Sequence, residues 1–199
     1  MQNLKRIIKA IGLSIGLVFA GASQASIITQ GTYTFTNDDP NLTTRPFRDG
    51  IASEWGTNKP YPGNFSGLGP YAYHLVAFNS GSTPFLQVTF SNPLTQFQVQ
   101  AILYGMNFNA SNISQGFLAD SGNSALSLQT RSFRYEGVAN TNYTLLLLDT
   151  IAGETGTIDY RVEGFTSANA VPLPGTALLI GAAFFSLGLA KRKKQPVKS

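Results

Sequence analysis

The 199-residue chain contains no cysteine and a single histidine, His74. Without cysteine there is no disulfide to brace the fold, and no thiolate to bind a metal or attack a substrate. A zinc site or a Ser-His-Asp triad needs more partners than one histidine supplies. We therefore interpret His74 as a polar residue on a strand, and we predict no catalytic residue, cofactor or metal.

Charged residues are also scarce, at 12% of the chain, and their distribution makes the net charge of +4 misleading. The first 25 residues hold three cations and residues 191–198 hold five, with no acid in either segment. Residues 26–170 hold six cations and ten acids, a net charge of −4. A mildly acidic body offers no basic patch to a phosphate backbone, so we predict no nucleic-acid partner.

The first 25 residues have the layout of a secretory signal peptide. Three cations precede an apolar run at residues 11–22, and Ser23 and Ala25 are the small residues expected at positions −3 and −1 of a cleavage site. We predict cleavage after Ala25 by signal peptidase, following passage through the export machinery. The alternative is an uncleaved membrane helix, and in either case the body is exported.

Residues 171–195 are the second apolar segment. The 16 uncharged residues 175–190 would span roughly 24 Å as a helix, against a hydrocarbon core of roughly 30 Å. They are apolar on all sides, which favours a transmembrane helix beginning near Pro172 and Pro174. The basic tail that follows should remain in the cytoplasm and leave the body outside. This tail consists of Lys191, Arg192, Lys193 and Lys194.

Residues 26–170 have the two-residue alternation of half-buried strands, and no helix-period segment of ten residues. Clusters of Gly, Pro, Asn, Asp and Ser separate the candidate strands. We predict an all-β domain, an antiparallel β-sandwich flanked by the two terminal helices. The candidate strands are residues 28–35, 71–78, 85–90, 97–103, 132–136, 143–148 and 158–163. The side chains predicted to point inward are Leu86, Val88, Phe90, Val99, Tyr160 and Val162.

The sequence Val171-Pro172-Leu173-Pro174, followed by an apolar helix and a basic cluster, resembles the PEP-CTERM sorting signal of Gram-negative bacteria. The common pattern has Glu at the position of Leu173, so this chain matches a VPLP variant. The resemblance implies processing by an exosortase, a membrane-embedded transpeptidase-like enzyme. It also implies an exported protein linked to extracellular polysaccharide or biofilm. A plain stop-transfer anchor that is never cut is the alternative.

The body is similar to the β-sandwich repeats of PEP-CTERM proteins and to bacterial pre-peptidase C-terminal domains. The similar stretches are "AILYGMNFNASNISQGFLADSGNS", "SFRYEGVANTNYTLLLLDT" and "TIDYRVEGF". These domains are jelly-roll-like accessory modules, usually without catalysis, so the resemblance implies a non-enzymatic sandwich.

Two groups of residues in the body allow a ligand as well as a purely structural role. The carboxylates Asp38, Asp39 and Asp49, with Glu54, could gather around Ca²⁺, although Asp-Pro and Asn are also ordinary turn chemistry. Five aromatic residues could present ring faces to sugars, or could instead cap one end of the sandwich core. These five are Trp55, Tyr61, Phe65, Tyr71 and Tyr73.

Together these features predict an exported, non-enzymatic β-sandwich. It is anchored in the inner membrane until an exosortase-type enzyme processes it, and it then acts at the cell surface or in an extracellular polysaccharide matrix. The alternative function is a secreted carbohydrate-active enzyme that uses a pair of Asp or Glu residues. Buried carboxyls with raised pKa values in one cleft would favour the enzyme.

Overall fold

The computed structural model describes residues 25–93 and 97–168. The predicted signal helix and the segment 171–195 lie outside the described residues. Within the described ranges the secondary structure is all β, with no α-helix. No helix in this part of the chain has the length and apolarity that crossing a membrane requires.

Nine strands form in these ranges, and the seven predicted strands are all among them. The two that sequence periodicity missed, β2 and β6, are short. The strands are β1 (Ser26–Phe35), β2 (Asn41–Pro46), β3 (Asn64–Asn79), β4 (Phe85–Ser91), β5 (Val99–Gly105), β6 (Phe117–Asp120), β7 (Thr130–Glu136), β8 (Asn142–Asp149) and β9 (Gly156–Phe165).

The strands form two antiparallel sheets, one of four strands in the order β1-β9-β4-β7 and one of five in the order β2-β3-β8-β5-β6. Several strands that follow each other in sequence lie in different sheets, as β3 and β4 do, so the chain crosses repeatedly between the two layers. The pairing of β1 with β9 joins the two ends of the described chain.

The main core lies between the two sheets and draws its side chains from both. Five of the six residues predicted to point inward are fully buried there, and the sixth, Tyr160, is half-buried against the same cluster. Each fully buried Leu, Val or Phe side chain contributes about 1.5–3 kcal/mol relative to an exposed one. The five are Leu86, Val88, Phe90, Val99 and Val162.

A second apolar cluster covers the outer face of the five-stranded sheet, which the alternation of β5 does not predict. Ile102 and Tyr104 of β5 and Leu146 and Leu148 of β8 point away from the main core and are nevertheless fully buried. Ile113 and Phe108, from the segment between β5 and β6, pack over them. Gln100, which the alternation with Val99 and Ala101 assigns to a polar outer face, is therefore fully buried as well.

Candidate functional site

Among the described residues, the outer face of the four-stranded sheet is mostly polar. The strand register places its polar side chains in three rows, two across β1, β9, β4 and β7 and one across β9, β4 and β7, where the β1 neighbour is the exposed Ile27. We call this surface the polar face. Its rows are Thr32, Asp159, Ser91 and Thr130; Gln30, Arg161, Thr89 and Ser132; and Glu163, Gln87 and Arg134.

A cavity of about 400 Å³ lies over the first two rows. Its polar lining combines hydroxyl, amide, carboxylate and guanidinium groups, which can both donate and accept hydrogen bonds. Gly31 and Tyr160 also line it. A Cβ atom on Gly31 would lie 2.7 Å from the Tyr160 hydroxyl, so the glycine makes room for that ring. The polar lining residues are Gln30, Thr32, Thr89, Ser91, Asp159 and Arg161.

The neighbouring strand β1 holds Asp159 in position, and Arg161 pairs with a residue of its own strand, β9. Thr32 Oγ1 donates a hydrogen bond of 2.6 Å to Asp159 Oδ1. Arg161 pairs with Glu163 at 2.7 Å, and the Arg161 side chain is 46% exposed. An exposed pair of this kind contributes only about 0–1 kcal/mol to stability. The remaining Arg161 donors are therefore accessible to a ligand without a large energetic cost.

Trp55 lies at the start of β4, beside the third row of the polar face. Its Nε1 donates to the Leu86 carbonyl oxygen at 2.9 Å, and its ring contacts Phe165 with a centroid separation of 5.3 Å. The Arg134 guanidinium lies 4.7 Å above the Trp55 ring centre, and Arg134 Nε donates to Gln87 Oε1 at 3.0 Å. Arg134 therefore occupies the indole face that a sugar would need.

The other four aromatic residues considered as a sugar platform belong to the second apolar cluster. Tyr71 is fully buried, while Tyr61 and Tyr73 pack edge-on against Phe117 and Phe108. Phe65 lies under the Arg45 guanidinium, 4.1 Å from its ring centre. These rings cover the outer face of the five-stranded sheet, so they neither cap an end of the main core nor form an open sugar platform.

Three of the four carboxylates considered for calcium have separate partners. Asp39 accepts hydrogen bonds from Tyr33 Oη and from the Thr36 amide, Asp49 pairs with Lys59, and Glu54 pairs with Arg134 at 3.4 Å. Asp38 is exposed. Within residues 25–93 and 97–168, no group of three or more His, Cys, Asp or Glu side chains is placed to hold a metal ion.

His74 is half-buried and stacks on Tyr33 with a ring separation of 3.6 Å. Burial lowers the pKa of His74, and the nearby Asp39 charge opposes that effect. A stacked, neutral imidazole fits the interpretation of His74 as a polar strand residue.

Two buried carboxyls have raised pKa values, and the sequence pattern singled out neither. Burial, with the charge of Glu154, raises the pKa of Asp149 to about 7. Burial also raises the pKa of Asp120, although Lys59 opposes it. Both acids end strands that are otherwise largely apolar, "FLAD" and "NYTLLLLD". That pattern is the sequence feature from which their burial could have been predicted. Neither acid lines the cavity of the polar face.

The residues predicted to direct sorting lie outside the described part of the chain. They are Val171, Pro172, Leu173 and Pro174, with the basic tail Lys191, Arg192, Lys193 and Lys194. Ala25, the predicted cleavage site, directly precedes β1.

No protein-family model and no curated protein matches the sequence. One solved structure that resembles part of the chain is the enzymatically active domain of tailspike protein 4 from bacteriophage CBA120. The TM-score is 0.33 at 9% sequence identity, over 68% of this chain and 19% of the tailspike chain. This chain thus matches about a fifth of the length of that structure.

Proposed function

We propose that this protein is an exported, non-enzymatic jelly-roll-like sandwich that binds extracellular polysaccharide through its polar face. In this proposal the signal peptide directs export, and the segment 171–195 anchors the chain until an exosortase-type enzyme processes it. The sequence features of both ends support export and anchoring. The observation that carries the binding function is the cavity over β1, β4 and β9, with its mixed polar lining.

The strand order supports the jelly-roll assignment. A jelly roll consists of two four-stranded antiparallel sheets between which the chain alternates. The order β1-β9-β4-β7 opposite β3-β8-β5-β6 fits that arrangement, with β2 added at the β3 edge.

The chemistry of the polar face suits a carbohydrate. A sugar presents many hydroxyl groups that both donate and accept hydrogen bonds, and the cavity offers carboxylate, amide and guanidinium partners within one surface. The strands hold these partners on a rigid sheet, which reduces the entropy lost on binding. A long polymer can also lie across successive rows, from Asp159 towards Glu163.

The test is binding of polysaccharide isolated from the producing cells, measured by calorimetry and co-sedimentation. The double variant Asp159→Asn/Arg161→Gln keeps the net charge and should weaken binding at least tenfold, the effect of losing about 1.4 kcal/mol. Asp38→Asn removes an exposed carboxylate from the turn after β1 and serves as the control. Equal affinity of the double variant and the wild type would place binding elsewhere or refute it.

The alternative function, a carbohydrate-active enzyme, has one observation in its favour. The pKa of Asp149, raised to about 7 beside Glu154, is in the range of a general acid. Asp149 is, however, fully buried. On the polar face, Asp159 and Glu163 are separated by roughly 13 Å of strand, more than the roughly 5–9.5 Å of a glycosidase pair. Shortening of the polysaccharide by wild type, abolished by Asp149→Asn, would establish the enzyme.

A further inference from the structure

A lysine and an aspartate of the segment that joins β2 to β3 meet the aspartate that ends β6. Lys59 Nζ lies 2.5 Å from Asp120 Oδ1 and 2.8 Å from Asp49 Oδ1. The Lys59 side chain is 8% exposed, that of Asp120 is 0% exposed, and that of Asp49 is 29% exposed. Two charged groups are therefore enclosed by the fold, while the third remains in contact with solvent.

The backbone around these three residues fixes their positions. Ser53 bonds to Asp120 twice, through its amide to the Asp120 carbonyl oxygen at 2.9 Å and through Oγ, which accepts from the Asp120 amide at 3.0 Å. The Gly122 amide donates to Asp120 Oδ1 at 2.9 Å, and Lys59 Nζ also donates to the Ile51 carbonyl oxygen. The amine and the carboxyl thus meet in a single, well-defined arrangement.

The surroundings of the Asp120 carboxyl satisfy it only in part. Burial raises its pKa, against the effect of Lys59, and its Oδ2 atom is buried without a hydrogen-bond partner among the described residues. Tyr61 and Tyr104 lie close enough for the Asp120 charge to raise their pKa values, after the larger effect of burial. Asp49 behaves in the opposite way, because its bonds to Lys59 and to the Ile51 amide outweigh burial and lower its pKa.

We propose that Lys59 and Asp120 form an intramolecular isopeptide bond, with Asp49 carrying the proton. The Lys59 ammonium passes one proton to the Asp49 carboxylate, and the neutral amine attacks Cγ of the protonated Asp120 carboxyl. The C–N bond forms, a second nitrogen proton moves to the departing hydroxyl, and the C–O bond breaks. The products are an amide, one water molecule and a protonated Asp49, which releases its proton to solvent. No oxidant or reductant is required.

The triad of Lys59, Asp120 and Asp49 is more buried than the other ion pairs of the described chain. Arg161–Glu163 and Arg134–Glu54 have exposed guanidinium groups, which water hydrates and which cannot form an amide. The bond would tie the segment between β2 and β3 covalently to β6, across 61 positions of sequence. A chain without cysteine would thereby gain a permanent cross-link outside the cell.

Mass spectrometry of the full-length protein tests the bond directly. After digestion, the wild type should yield a branched peptide joining residues 59 and 120, lighter by one water than its two linear parts. The intact mass difference between wild type and Lys59→Arg should equal the substitution plus one water, since a guanidinium does not form the amide. Recovery of residues 59 and 120 only in separate linear peptides would overturn the proposal.

Two further variants separate chemistry from folding. Asp49→Asn keeps the size of the side chain but cannot accept the proton, so it should give folded protein with at least tenfold less branched peptide. A wild-type yield in Asp49→Asn would overturn the role of Asp49. Arg161→Lys places an amine beside Glu163 at an exposed site and should give no cross-link. A cross-link there would show that proximity alone suffices and would overturn the requirement for burial.

Discussion

Replacing Asp149 with Asn should stabilise the protein at neutral pH and leave it unchanged in acid. Asp149 is fully buried at the end of β8, where Oδ1 accepts the Ile151 amide at 2.9 Å and Oδ2 has no hydrogen-bond partner among the described residues. Asparagine keeps the shape and the Oδ1 acceptor, so the hydrogen bond to Ile151 is retained. The substitution therefore removes the ionisation of Asp149 and little else.

The magnitude follows from the raised pKa of Asp149. An unperturbed aspartate has a pKa of 3.8, whereas burial and then the charge of Glu154 raise the pKa of Asp149 to about 7 in the folded protein. Between pH 4 and pH 7 the folded state therefore holds a proton that the unfolded state has lost, so the free energy of unfolding falls as pH rises. At about 1.4 kcal/mol per unit, the loss approaches about 4 kcal/mol by pH 8, as an upper limit.

Urea unfolding, followed by the fluorescence of Trp55, measures this difference. Wild type and Asp149→Asn should have similar free energies of unfolding at pH 4, and the variant should be more stable by about 2–4 kcal/mol at pH 8. Asp38→Asn, at an exposed carboxylate, should follow the wild type throughout. A difference in the free energy of unfolding that does not change with pH, or a variant less stable than wild type at pH 8, would show that the ionisation of Asp149 does not destabilise the fold.

Three other predictions concern the packing of the β2–β3 segment against the turn after β6, and the processing of both ends of the chain. Gly122→Ala should lower the free energy of unfolding by at least about 2 kcal/mol in thermal unfolding, because Gly122 has a φ of +67° and an added Cβ would collide with the Ile51 backbone. Gly56→Ala is the control, since Gly56 has a φ of +72° but lies in open space, and it should lower stability less. A bulky residue in place of Ala25 should leave the signal peptide attached, and N-terminal sequencing that still begins at Ser26 would contradict the assigned site. Pro172→Ala/Pro174→Ala should keep the protein in the membrane and abolish its release into the medium, read by fractionation in a host with the processing enzyme. Full-length wild type that stays in the membrane, as the variant does, would reduce the segment to a plain anchor.

Sequence periodicity predicted those strands that have one face in water. In β4 and β9 the inner residues, such as Val88 and Val162, alternate with solvated ones such as Thr89 and Arg161, and the alternation identified them correctly. In β5 the same pattern misplaced Gln100, because residues outside the strand, such as Phe108 and Ile113, cover the outer face. Local periodicity carries no information about such cover.

The candidate sites depend even more on contacts that are distant in sequence. The rows of the polar face join residues of β1, β4, β7 and β9, and only the register of three strand pairs brings them together. Lys59 meets Asp120 because the amides of Ser53 and Gly50 bond to β6 and to the turn after it. These bonds hold the β2–β3 segment against β6. Trp55 was recognisable as a functional candidate, but nothing in its neighbourhood of sequence indicates that Arg134 covers its ring.

Amide hydrogen exchange, measured with and without the extracellular polysaccharide of the producing cells, tests the central claim that the polar face binds this polymer. Binding at the polar face should add protection in β1, β4 and β9 around Gln30, Thr89 and Arg161 and leave β3 and β8 unchanged. Protection confined to the five-stranded sheet, or no change at saturating polysaccharide, would contradict it.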